Sequence, residues 1–216
     1  MKILVISSCT GEKKIEMKTV TCETIDKYGL EGLKNQGLPQ LPAWQMYTGK
    51  QHLAIVESIK ELRRKKFGVD WHILSAGFGL IHESEMIVPY ECTFNKMKKS
   101  EIIERGKRLR INVSFKKLLD ENYDVLFPLL GSNYLLSLDL NLIPETTNAY
   151  ILCAENQEIP QKNHIHKVVS SIEQARKLKT ILINVKGYQF LSFAKKVKED
   201  YDLKRVDLVL EELTNL

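Results

Sequence analysis

The fold is decided near the start of the chain, at residues 2–14, which read KILVISSCTGEKK. The run from Ile3 to Ser7 predicts a buried strand, and the polar residues from Ser8 to Lys14 cannot continue it. A buried strand that ends abruptly in a polar loop is what the parallel sheet of an α/β protein requires.

Later segments repeat this alternation of strands and helices. Residues 50–66 place Leu53, Val56, Ile59 and Leu62 on one stripe, which predicts an amphipathic helix lying on a sheet. Further strands are predicted at Trp71–Ser75, Asp124–Leu130 and Ala149–Cys153, with Ile181–Val185 as a candidate fifth. Further helices are predicted at Ser100–Asp120, Ile172–Lys179, Tyr188–Glu199 and Lys204–Leu213. The fold class is therefore α/β: a mostly parallel sheet of four or five strands, helices on both faces, and C-terminal helices.

Composition places the chain among ordinary globular proteins. With 216 residues, 44% hydrophobic and 27% charged, we expect one domain over residues 1–216. The apolar runs are far shorter than the roughly 20 residues of a membrane helix, so no membrane partner is expected. The four scattered cysteines favour reduced thiols in a cytoplasmic protein, with no metal site and no cofactor.

The net charge of +5 is small, but the basic residues are concentrated. Nine lysines and arginines and only two acids lie between Lys96 and Lys117. Such a segment is typical of a surface that binds a phosphate backbone, although a solvated helix face has the same composition. The predicted backbone contacts are Arg105, Lys107 and Arg108.

Parallel sheets bind ligands at the carboxyl ends of their strands. That rule directs attention to the loops that begin at Ser8, Ser75, Gly131 and Ala154. The turn at residues 75–79, SAGFG, allows a close backbone approach to a ligand, or is simply a tight turn. It matches neither a P-loop nor a dinucleotide-binding fingerprint.

Several motifs occur together in a fixed order, and their combination is informative. They are SSCT at residues 7–10 with Lys13, MYTG at 46–49, LSAGFGL at 74–80, VPYECT at 88–93 and LGSNY at 130–134. This combination resembles the broad YaaA-like group, which includes peroxide-stress DNA-binding proteins and small relatives. The resemblance covers roughly residues 1–135, and the chain departs from the peroxide-stress pattern at Glu91.

The resemblance implies an α/β fold with affinity for DNA. It also implies a relation to the core of archaeosine synthases and, more distantly, to uracil-DNA-glycosylase-like folds. A glycosylase that removes a modified base in phage defence is a further implied function.

We therefore predict cleavage of an N-glycosidic bond in DNA. This chemistry needs a carboxylate near the anomeric carbon, donors for the base and a grip on phosphates. Glu91 is the first candidate for the catalytic carboxylate, and Glu155 is the second. The residues predicted to bind substrate are Ser8, Thr10, Lys13, Tyr47, Thr48, Gly49, Ser75, Phe78, Gly79, Tyr90, Gly131, Ser132 and Tyr134. Among these, Tyr47, Phe78, Tyr90 and Tyr134 are the candidates for stacking on an extruded base.

Two other functions fit the same residues. The protein could be a non-catalytic DNA-binding protein of the stress-response kind, or an enzyme that modifies bases in tRNA. In each case the partner is nucleic acid, and the resemblance favours DNA over RNA. The sequence leaves the oligomeric state open.

Overall fold

The computed structural model describes residues 1–198 together with Val206 and Val209. The strands, in chain order, are β1 (Lys2–Ser8), β2 (Leu41–Pro42), β3 (Gly68–Ser75), β4 (Gly79–His82), β5 (Met86–Ile87), β6 (Val125–Leu129), β7 (Asn148–Cys153) and β8 (Ile165–Val169). The α-helices are α1 (Cys22–Asn35), α2 (Ala43–Met46), α3 (Lys50–Arg64), α4 (Lys99–Arg108), α5 (Ile111–Leu119), α6 (Ser132–Leu135), α7 (Ile172–Lys177) and α8 (Leu182–Lys196). None of the helices in this described part is long and apolar enough to cross a membrane.

Six strands form one sheet in the order β4-β3-β1-β6-β7-β8. All neighbours are parallel except β4, which runs antiparallel to β3 at one edge. From β1 the chain first adds β3 on one side and later adds β6 on the other. The carboxyl ends of β1 and β6 therefore mark the point where the strand order reverses, which is where open α/β sheets bind ligands.

The central strands are covered on both faces. Residues 3–7 of β1 and all of β6 are buried, although alternate side chains point to opposite sides of the sheet. Helices therefore flank the sheet, and the expected α/β fold with C-terminal helices is confirmed. Apart from Val206 and Val209, the helix predicted at residues 204–213 lies outside the described residues.

The candidate fifth strand at residues 181–185 was wrong. These residues instead lead into and begin α8, with Ile181 and Ile183 exposed and Val185 buried. A five-residue apolar run has no period of its own that separates a strand from a helix. The fifth parallel strand is β8. It was not predicted because polar residues interrupt its apolar ones, and only Ile165 and Val168 are buried.

The long basic helix predicted over residues 100–120 is two helices. Arg110 adopts a left-handed conformation, with φ of 53°, and ends the first helix before α5 begins. Because this break rotates α5 relative to α4, the apolar residues predicted to share one buried face do not all lie on the same side. Ile102 is buried as expected, but Val113 is 56% exposed.

The stripe predicted on the first long helix is correct for three of its four residues. Val56, Ile59 and Leu62 are buried in α3, whereas Leu53 is 50% exposed. Leu53 instead lines a surface cleft, while its neighbours His52 and Ala54 are buried.

The expectation of four reduced cysteines was also wrong. Cys22 and Cys92 form a disulfide, with their Cα atoms 5.0 Å apart. They are 70 residues apart in sequence, and no local spacing signals the pair. Cys9 and Cys153 are free thiols, and both are buried.

Candidate functional site

A pocket of about 720 Å³ opens where the strand order reverses. It collects residues from the loops after β1 and β6, the start of α3, the segment after β5 and the turn before α8. The lining residues are Ser8, Cys9, Thr10, Gly11, Glu12, Gly49, Lys50, Gln51, Thr93, Asn95, Gly131, Tyr134, Lys179, Thr180, Ile181, Ile183 and Asn184. Most of the polar ones are uncharged hydroxyl and amide groups, which suit a ligand with many hydrogen-bonding atoms.

The start of α3 lies tightly against the loop after β1. Gly49 is the N-cap of α3, and a Cβ atom there would lie 2.9 Å from the Thr10 side chain. Its backbone N–H donates to Thr10 Oγ1 at 3.4 Å. No side chain caps the helix, so its first amides keep hydrogen-bonding capacity for a ligand in the pocket.

Helix α8 brings a third element to the pocket by packing closely on α3. Gly187 makes this approach possible, because a Cβ atom there would lie 2.8 Å from the Gln51 carbonyl oxygen. Gln51 Nε2 donates to the carbonyl of Leu129 at 3.0 Å, and Asn184 Nδ2 donates to Thr180 Oγ1 at 2.9 Å. The two side-chain amides are thereby held in fixed orientations beside the cavity.

The loop after β6 is supported from below by Lys186 of α8. The buried Lys186 Nζ donates to the carbonyl of Leu130 at 2.7 Å. Burial lowers the pKa of this ammonium group to about 8. Lys186 therefore anchors the loop on which Gly131 reaches the pocket.

A cluster of hydroxyl groups surrounds Cys9 at the floor of the pocket. The Tyr134 hydroxyl lies 3.1 Å from Cys9 Sγ and 3.3 Å from Thr93 Oγ1. Behind it, the Tyr90 hydroxyl lies 2.8 Å from that of Tyr47 and 2.6 Å from Ser75 Oγ. Burial raises the pKa of all three tyrosines, and negative charge on Cys9 would raise it further. The hydroxyls therefore stay protonated and can donate.

Two carboxylates flank the turn at Gly11, and they face different cavities. Glu12 is the acidic residue among those that line the main pocket. Glu91 lines a separate cleft of about 170 Å³, together with Lys13, and pairs with Lys96 Nζ at 3.3 Å. Gly11 lines both cavities.

Lys13 lies between the smaller cleft and the tyrosine cluster. Its Nζ sits 4.7 Å from the centre of the Tyr90 ring. Burial lowers the pKa of Lys13, although negative charge on Cys9 and Glu91 acts in the opposite direction. Its ammonium group donates to the Gly11 carbonyl at 3.4 Å, and Lys13 lines the smaller cleft rather than the main pocket.

The structure brings part of the predicted site together. The predicted substrate-binding residues that line the pocket are Ser8, Thr10, Gly49, Gly131 and Tyr134. They come from three segments of the chain, two of which follow the carboxyl ends of β1 and β6.

The prediction of stacking tyrosines was wrong. Tyr47, Tyr90 and Tyr134 are each at most 3% exposed, so none offers a free ring face to a base. Ser75 is fully buried, and its Oγ accepts from the backbone N–H groups of Gly77 and Phe78. Tyr47, Tyr90 and Ser75 support the floor through hydrogen bonds among their own hydroxyl groups, whereas the Tyr134 hydroxyl contacts Cys9 and Thr93.

Other predicted residues lie away from the cavity. The Phe78 ring packs edge-on against Tyr90 with centroids 4.7 Å apart, and Gly79 packs against Leu109. Thr48 lines a neighbouring cleft, and Glu155 lines a further one after β7. The predicted residues outside the main pocket are Lys13, Tyr47, Thr48, Ser75, Phe78, Gly79, Tyr90, Glu91, Ser132 and Glu155.

The prediction that Arg105 contacts phosphate was wrong. Arg105 is 6% exposed, and its guanidinium group donates to the Ala76 carbonyl at 2.5 Å and to Asp26 at 3.0 Å. Arg108 also pairs with Asp26 but remains half exposed. Lys107 is exposed and stays available to a backbone.

Several pocket residues were not predicted from the sequence, and only some of them lie in a segment whose pattern could have indicated the site. Gln51 lies two residues after the N-cap Gly49, and Glu12 lies in the first strand-end loop, so both could have been found. Thr93 is the last residue of the VPYECT motif, and Asn95 lies two residues after it. Asn184 could not have been found, because only the packing of α8 on α3 brings it to the cavity.

The site shows no ready place for a metal ion. Within residues 1–198, no group of three or more His, Cys, Asp or Glu side chains comes together in a metal-binding arrangement.

Comparison with known proteins places the chain in a family. Residues 32–167 match the family of unknown function DUF6884. That span includes Gly49, Gln51, Thr93, Gly131 and Tyr134 of the pocket. No curated protein matches the chain. Because the family match covers more than half of the sequence, the chain belongs to the DUF6884 family.

Proposed function

We propose that the protein binds a nucleotide unit of DNA in the pocket at the strand-order reversal and cleaves its N-glycosidic bond. The observation that carries this proposal is the pocket itself, in which uncharged hydroxyl and amide groups converge from five segments of the chain. A volume of about 720 Å³ falls within the range of small-molecule sites and leaves room for a base with its sugar.

The polar lining suits a base and a sugar. The amides of Gln51 and Asn184 are each fixed through their nitrogen, so their oxygens are oriented to accept from a ligand. Hydroxyl groups of Ser8 and Thr93 provide donors and acceptors for the remaining edges, and Thr10 Oγ1, which donates to the Glu12 carbonyl at 2.8 Å, can still accept. Neutral groups of this kind read a base without the desolvation cost of burying a charge.

One side of the pocket suits a phosphate. The uncapped start of α3 presents backbone amides and the positive end of the helix dipole. Lys50 and Lys179 line the same cavity and add positive charge. A nucleotide would therefore bind with its phosphate toward α3 and its base toward the hydroxyl cluster.

Glu12 is the carboxylate that this arrangement favours for chemistry. Loss of a base passes through an oxocarbenium-like sugar, which a nearby carboxylate stabilises or supplies with an oriented water. Glu12 lines the main pocket, whereas Glu91 lies in the neighbouring cleft and is paired with Lys96. We therefore assign the charge-stabilising role to Glu12.

The test compares two isosteric variants. Purified protein is incubated with DNA and RNA that carry natural or modified bases, and abasic sites and free base are measured. Glu12→Gln should lower turnover by about two orders of magnitude or more while leaving substrate binding nearly intact. Glu91→Gln is the matched control and should change turnover far less.

Each outcome decides between functions. Binding without release of any base would leave a non-catalytic nucleic-acid-binding protein. Base release from RNA alone would indicate that the substrate is a tRNA-type RNA rather than DNA. Failure to bind any nucleic acid would overturn the proposal, and a larger loss in Glu91→Gln than in Glu12→Gln would return the catalytic role to Glu91.

A further inference from the structure

A second cleft of about 550 Å³ lies beside the main pocket. The segment Tyr47–Thr48–Gly49 connects the two, since Thr48 lines the second cleft and Gly49 lines the first. Helix α3 also contributes to both, with Lys50 in the main pocket and Leu53 in the second cleft. The two cavities are thus neighbours along one continuous surface.

The second cleft presents apolar groups that are only partly buried. Leu53 is half exposed there, although the next residues of its stripe are buried. Trp44 lies in the same cleft and is partly exposed. The other tryptophan, Trp71, is 1% exposed and donates its indole N–H to Ser7. An accessible indole beside an aliphatic side chain is a platform for a flat, apolar-faced ligand.

Positive charge flanks the connecting segment on both sides. Lys50 lines the main pocket, and Lys14 lines the second cleft. Neither ammonium group has an ion-pair partner within the described part of the chain. A phosphodiester that crosses Thr48 and Gly49 would therefore run between two unpaired cations.

We propose that the second cleft binds the base of the adjacent nucleotide of the same strand, stacked against Trp44 and Leu53. This inference rests on the proposed function, because it assumes a nucleotide in the main pocket. Continuity of the two cavities and the cations at their boundary favour a nucleotide over other flat ligands. The site would then read a dinucleotide step, with the internucleotide phosphate held between Lys14 and Lys50.

The experiment measures affinity as a function of length. Mixed-base deoxynucleoside 5′-monophosphates and the corresponding 5′-phosphorylated dinucleotides are titrated into the full-length protein. One additional stacked base should tighten binding by at least about fivefold. The dinucleotide should also change tryptophan emission, and this change should come from Trp44 because Trp71 is buried.

Three variants test which residues make the dinucleotide bind more tightly than the mononucleotide. Trp44→Leu should reduce the advantage of the dinucleotide to less than about twofold while leaving mononucleotide affinity unchanged. Leu53→Gln changes a half-exposed residue, so it should reduce the advantage of the dinucleotide without loss of folding. Val113→Gln alters a comparably exposed apolar residue on α5 and should have no effect.

The outcomes separate the two proposals. If the mononucleotide binds and the dinucleotide binds no more tightly, the second subsite is overturned and the nucleotide pocket stands. If Trp44→Leu and Leu53→Gln both keep the full advantage of the dinucleotide, the second subsite is overturned as well. If neither ligand binds, the proposed function fails, and this inference fails with it.

Discussion

His52 illustrates how burial fixes the charge state of a single residue. The imidazole is 1% exposed and lies between the rings of Tyr47 and Trp71. Its Nε2 lies 2.9 Å from the Trp44 carbonyl, which it can reach only as a donor, and its buried Nδ1 has no partner among the described residues. Burial lowers the pKa of His52 to about 4, so the ring is neutral near neutral pH.

This lowered pKa predicts a loss of stability in mild acid. Between about pH 6.5 and pH 4 the unfolded chain binds a proton at His52 and the folded chain does not. The free energy of unfolding should therefore fall with pH, by about 2 kcal/mol between pH 7 and pH 5 from this residue alone. Urea unfolding of the wild type and of His52→Gln at both pH values measures the difference.

The substituted glutamine can still donate to the Trp44 carbonyl but does not titrate. His52→Gln should therefore lose about 2 kcal/mol less than the wild type over this interval. Equal losses in the two proteins would show that the imidazole is already accessible to protons in the folded state.

At the scale of elements, strand ends were easier to predict than helix boundaries. The strand that ends at Ser8 and the strand that ends at Ser75 were predicted because apolar runs stop at polar residues. The break at Arg110 was not, since a non-glycine residue with positive φ leaves no local sequence signal. β8 was missed because an edge strand needs fewer apolar residues than a central one.

The same limit explains the error at Arg105. The sequence shows a run of cations but does not show which of them turns inward, and that choice depends on Asp26, 79 residues away. Arg105 joins α4 to the turn after β3 through the Ala76 carbonyl. The basic segment is therefore partly structural and partly available for binding.

This division predicts opposite effects for two neighbouring cations of α4. Arg105→Met should lower the free energy of unfolding by about 3 kcal/mol, because it leaves buried polar groups without their partner. Lys107→Glu should leave stability nearly unchanged and weaken DNA binding. Urea unfolding and the salt dependence of oligonucleotide binding measure the two effects.

A lost phosphate contact has a defined signature in the second measurement. The slope of log affinity against log salt should decrease by about one for Lys107→Glu. Lys195→Glu, which changes an exposed lysine of α8, is the control and should keep the wild-type slope. An unchanged slope in Lys107→Glu would mean that this face of α4 is only solvated.

At the scale of the whole molecule, the pocket depends on long-range connections that sequence patterns do not encode. The loops at Ser8 and Gly131 could be predicted to meet, because parallel strands share a carboxyl edge. The presence of Asn184 and Thr93 at the pocket could not be predicted. It depends on how α8 packs and on where the chain after β5 is held. One constraint on that chain is the disulfide between Cys22 and Cys92, next to Thr93.

The disulfide should therefore contribute strongly to global stability. A bridge that closes a loop of this length restricts the unfolded chain, which by the chain-entropy model is worth about 4 kcal/mol. Dithiothreitol should lower the free energy of unfolding in urea by about 2–4 kcal/mol for the wild type. The double variant Cys22→Ser and Cys92→Ser should begin at the lower value and not respond to reductant.

Counting thiols in the denatured, unreduced protein provides the direct check, since only Cys9 and Cys153 should react. Four reactive thiols, together with a stability that dithiothreitol leaves unchanged, would remove the bridge and require another contact to hold Thr93 at the pocket.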